Sequence, residues 1–210
     1  MPMIALGVYS DTEDKPYEVE SGYYVDFQIT SALFSLESVM NSNIENYGIL
    51  KNKCQYYHYY CDHLIFSIGQ IANRFDIKGK DEGLVRERKN ANICNFAFCK
   101  EKYPILSDKR VRNTIEHIDE HNLEIIKKYR GVGGFNLIDS ETDEEVVNAL
   151  TSNRQSHPYT LDLIHKQLLI MRKDRELNLN LEELRNELLS LQKEAKSLLK
   201  FTTDEFWRNI

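Results

Sequence analysis

Residues 110–122 read RVRNTIEHIDEHN, and two kinds of chemistry can be built from them. Arg112 and His117 form an Arg-x4-His pair with Asn113 beside the arginine. An imidazole titrates near neutrality and can move a proton. A guanidinium presents a fixed fork of donors to a phosphate. Together they suit metal-independent cleavage of a phosphodiester. The same stretch also contains His117-x-x-Glu120-His121. That spacing sets two imidazoles on one helical face with a carboxylate base next to them, as in a zinc hydrolase. Zinc needs a third protein ligand, and Glu187 and Glu194 are the downstream candidates. A third reading is plainer: a charged face opposite an apolar stripe is the default for any surface helix.

A helix must carry these residues. Val111, Ile115, Ile118, Asn122, Ile125 and Tyr129 recur at helical steps and form an inner stripe. At about 100° per residue, Arg112, Asn113, Glu116, His117, Glu120 and His121 fall on the opposite side. Ser107 or Asp108 can cap its first free amides, and Gly131 suits its C-terminal end.

Three helices are expected before it. Val25, Ile29, Ala32, Leu36 and Val39 mark the first, after a leader over 1–21. Leu50, Cys54, Tyr57, Cys61, Leu64, Ile68, Ile71 and Phe75 step 4-3-4-3 along the second, the seam of a helix in a bundle. Leu84, Ala91, Cys94 and Phe98 mark the third, which Pro104 ends. The run QYYHYYCDH, 55–63, gathers four tyrosines with His58 and His63, and reads as helix contacts in preference to a ligand site. His58 and Asp62 are within reach at i,i+4.

After residue 131 the period changes. Tyr159, Leu161 and Leu163 alternate with other residues, and KQLLIM and ELNLNL flank RKDR as a hairpin with a four-residue turn. Asn180 and Glu183 then open a last helix with Leu181, Leu184, Leu188, Leu191, Ala195 and Leu198 along its seam. The expected fold class is therefore mostly α: a bundle of four to five helices over 22–130, a loop and small antiparallel β region over 131–180, and a helix over 181–210 returning to the bundle.

Composition narrows the function classes. The chain has 210 residues, 41% hydrophobic and 29% charged, enough for one well-cored domain. A net charge of -6 argues against broad, non-specific binding of nucleic acid but leaves room for a local basic site. Local basic runs are short: RERK at 86–89 and KEK at 100–102. No apolar run approaches the roughly 20 residues that span a bilayer, and no signal peptide is visible. Cys54, Cys61, Cys94 and Cys99 form no Cys-x-x-Cys pair and read as reduced thiols. The chain is expected in the cytoplasm, away from membranes.

Arg112-Asn113-x-x-Glu116-His117-x-Asp119-Glu120, on a late helix of a small bundle, resembles the HEPN superfamily. The resemblance covers residues 20–130 in architecture and about nine residues in sequence. It implies a homodimer in which two such helices line a cleft. There the RNA 2′-hydroxyl attacks its own phosphate, His117 moves the proton, Arg112 stabilises the phosphorane and Asn113 orients His117 or the phosphate. No metal or cofactor is implied. A toxin–antitoxin or defence setting follows from the family alone, with an antitoxin as a further partner. Glu116, Asp119 and Glu120 depart from a phosphate-friendly site: they repel an anion, raise the pKa of His117 and compete for Arg112. Inactive HEPN-like dimers that bind a protein or nucleotide are the alternative, and a zinc hydrolase using His117, Glu120 and His121 is the second.

Overall fold

The computed structural model describes residues 16–41, 48, 50, 52–75, 82–83, 101–108, 110–111, 113, 127, 135–143, 159–172 and 175–208, with backbone alone for 16–23, 171–172, 175–176 and 197–208. Helix α1 is Pro16–Met40, α2 is Lys53–Phe75 and α3 is Leu181–Arg208. Four strands join them: β1 Phe135–Ile138, β2 Tyr159–Asp162, β3 Gln167–Arg172 and β4 Arg175–Asn180.

The mostly helical expectation is overturned by this sheet. Its order is β1-β2-β3-β4, with β1 and β2 parallel and the other pairs antiparallel. The expected hairpin is real, but Arg172 pairs with Arg175, so only two residues connect β3 to β4 and not four. β1 was not foreseen. Four residues are too short to show a period, and its parallel partner lies more than twenty residues on. β2 does not alternate in burial, because Thr160 and Asp162 are as inaccessible as Tyr159 and Leu161.

Register explains why the sheet packs. Tyr159 pairs with Phe135 and Ile170, and Ile170 pairs with Leu177. One row along, Leu161 joins Leu137 and Leu168, and Leu168 joins Leu179. Side chains two apart share a face, so these residues make one apolar surface that belongs to the main core. Asn136, Thr160, Asn178 and Gln167 fall on the other face, where Asn136 Nδ2 donates to Thr160 Oγ1 at 3.3 Å and Asn178 Nδ2 to Gln167 Oε1 at 3.2 Å.

The helices follow their apolar stripes. Val25, Ile29, Ala32, Leu36 and Val39 are buried along α1, which packs on both α2 and α3. α1 starts at Pro16, inside the expected leader, since a proline is tolerated in a first turn. On α2 the seam from Tyr57 to Phe75 is buried, while Cys54 is exposed. Asn180 Oδ1 accepts from the amides of Glu182 and Glu183 at 3.0 and 3.1 Å and caps α3. Leu181, Leu184, Leu188, Leu191 and Ala195 are then fully buried. Among the described residues no helix is long and apolar enough to cross a membrane.

Candidate functional site

The segment leading into residues 110–122 is the best-built part of the predicted site. Residues 101–108 form turns laid against α3, with Tyr103 and Leu106 in the core. Glu187 Oε1 accepts from the amide of Ile105 at 3.1 Å, and Oε2 accepts from Leu106 at 2.9 Å. Burial holds the Glu187 carboxyl above the usual range, and the two amides pull it partly back. Lys102 forms an ion pair with Glu194, whose second oxygen is buried without a hydrogen-bond partner.

Helix then begins as the capping residues predict. Asp108 Oδ1 accepts from the Arg110 amide at 2.8 Å, and the Asp108 carbonyl accepts from Val111 at 3.1 Å. The same carboxylate takes the Arg110 guanidinium at 2.6 Å. Val111, first residue of the expected inner stripe, is buried. Asn113 is helical and half-buried. Arg112, Glu116, His117, Asp119, Glu120 and His121 lie outside the described residues, as do the RERK run and residues 84–100 of the third helix expected over 84–102, while Glu101 and Lys102 at its end lie in a turn.

The two glutamates named as downstream zinc ligands both have other partners. Glu187 is engaged with two backbone amides, and Glu194 with Lys102. No group of three His, Cys, Asp or Glu side chains that could hold a metal occurs among the described residues.

A second cluster forms where α2 crosses the sheet. His58 stacks on Phe135 with ring centroids 5.2 Å apart, and its ring lies 5.8 Å from that of Tyr159. His58 Nε2 is 3.5 Å from Asp62 Oδ2 one turn later. Tyr159 is buried, and its hydroxyl meets no partner at ordinary hydrogen-bond geometry. The Asp62 carboxylate is nonetheless close enough to act on it electrostatically. Burial, then Asp62, pushes the Tyr159 phenol far up, so it stays protonated. Burial also raises Asp62, against the pull of His58, His63 and Tyr159. The sequence offered the His58–Asp62 pair by spacing. Phe135 gave no signal, and Tyr159 only that of an inward strand residue.

Two other polar groupings are structural. Asp162 accepts the His165 amide at 2.9 Å and sits 2.8 Å from His165 Nδ1, closing the turn between β2 and β3. Lys53 pairs with Asp139 after β1. An open cleft of about 640 Å³ lies between the end of α1 and the start of α3, with Arg185 Nε donating to Glu37 Oε1 at 2.6 Å within it. Two acids against one arginine line that cleft, so it offers an anion no excess of positive charge.

No family model matches this chain, and neither a curated protein nor a solved structure is similar to it at a meaningful level.

Proposed function

We propose that this chain acts on RNA as a HEPN-like dimer, using His117 to move the proton and Arg112 to stabilise the charge on the phosphorane. The observation that supports this reading is the helix start at Asp108. Its cap and the buried Val111 agree with the start and phase expected for this helix from the sequence, a phase in which Arg112, Asn113 and His117 are expected opposite the apolar stripe. The sheet does not count against it, because residues 135–180 lie beyond the 20–130 that carry the resemblance. A second reading, an inactive dimer that binds a protein or nucleotide, is favoured by Glu116, Asp119 and Glu120, whose charge opposes a phosphate.

Incubating the purified chain with RNA in excess chelator separates the two. Cleavage that survives the chelator and falls about 10²- to 10⁴-fold in His117→Ala supports the nuclease. RNA left intact by wild type, with nucleotide or protein binding retained, supports the silent dimer. Cleavage abolished by chelator and restored by zinc would overturn both.

A further inference from the structure

Four large rings stand out of the α1–α2 pair: Phe27 and Phe34 on α1, Tyr59 and Phe66 on α2, with 63%, 64%, 47% and 51% of their surface exposed. They are not scattered. The two helices run antiparallel, with Tyr24 Oη donating to Gln70 Oε1 at 3.1 Å, Ser67 Oγ to Ser31 Oγ at 3.1 Å, and Phe34 against Tyr60 at 5.9 Å. Phe27 and Phe34 are seven residues apart, and so are Tyr59 and Phe66. Each pair is two helical turns on one stripe. The rings therefore flank one seam.

We propose that this seam is a docking surface for a second copy of the chain. Area is the first argument. At about 200 Å² per ring, the four leave roughly 450 Å² of aromatic surface uncovered. A standard interface needs about 800 Å² per partner, so these rings alone supply more than half. Spacing is the second. A two-fold axis sets α1 of one copy beside α2 of the other, and the common seven-residue repeat lets the rings interleave like ridges in a four-helix contact. Tyr24, Gln70 and Arg74 supply a polar margin, with the guanidinium 4.8 Å from the Tyr24 ring centroid.

This contact is separate from the motif-helix pairing that the HEPN reading expects, and it does not rest on that reading. Sedimentation of the full chain over a dilution series tests it. Phe27→Glu with Phe66→Glu is expected to halve the assembly mass, with helical content unchanged. The milder pair Phe34→Ala with Tyr59→Ala should weaken association in the same direction, and guards against a folding defect. A wild type that is monomeric throughout the series overturns the proposal, including when the seam turns out to hold a different protein or a lipid surface. So does an assembly whose mass survives Phe27→Glu with Phe66→Glu. The mass change in the Phe27→Glu, Phe66→Glu pair reports on the seam and RNA cleavage reports on Arg112 and His117, while a monomeric wild type would overturn the seam and the HEPN-like dimer together.

Discussion

Glu187 on α3 holds the amides of Ile105 and Leu106, groups 82 and 81 residues away in sequence. One carboxylate thus fixes the root of the 110–122 segment to the C-terminal helix. Removing it leaves two part-buried amides without an acceptor. Glu187→Ala is expected to lower stability by about 2 kcal/mol, and Glu187→Gln by less, because the amide oxygen still accepts. Urea unfolding measures both. Variants as stable as wild type would show that the clamp contributes nothing.

Asp62 gives a pH prediction with a definite sign. Its folded-state pKa is raised above 3.8, chiefly by burial. A raised acid pKa means that the folded chain binds the proton more tightly than the unfolded chain. The contribution of Asp62 to stability is therefore greatest below pH 3.8 and is lost as pH rises through the folded value. Asp62→Asn removes that loss. Its melting temperature relative to wild type should climb from acid toward neutral pH, while the similarly raised Glu187 cancels in the difference. A difference that stays flat with pH would refute this assignment.

The Tyr159 hydroxyl is buried beside the Asp62 carboxylate without a hydrogen bond of ordinary geometry, which is costly to maintain. Tyr159→Phe should leave stability within about 1 kcal/mol of wild type or raise it. A loss beyond about 2 kcal/mol would mean that the hydroxyl does hold a partner, Asp62 or a bound water.

On the RNA reading, the carboxylates around His117 and Arg112 act as a brake. Glu116→Gln with Glu120→Gln should tighten RNA binding several-fold and lower the pKa of His117, read from a pH–rate profile or by NMR titration. Binding that is unchanged or weaker in this pair would remove the electrostatic argument.

Helices were legible because their apolar steps are long and regular. The α1 stripe, the α2 stripe from Tyr57 to Phe75 and the α3 stripe from Leu181 to Ala195 reappear in the core, and Asn180 and Asp108 cap where capping chemistry places them. The expected α2 seam began too early, since Leu50 precedes the helix and Cys54 in its first turn is exposed. The sheet was half legible. β3 and β4 are neighbours in sequence, and β4 carries leucines at period two, whereas β1 is defined by a parallel partner that local pattern cannot reveal. The His58–Phe135–Tyr159 cluster shows the same limit, since it joins three segments that only the fold brings together. The Glu187 clamp carried no signal at all beyond one glutamate among many.

The contact of α1 with α3 has a consequence for how the chain is made. Glu37 meets Arg185 across 148 residues, and Leu184, Leu188, Leu191 and Ala195 close a core that α1 helps to line. A ribosome releases α1 first. Its apolar face can meet α2 early, but the part that α3 covers must wait until residues 181–195 have emerged. For most of synthesis the nascent chain carries an open hydrophobic flank, which makes it a natural client for a chaperone that holds emerging helices apart.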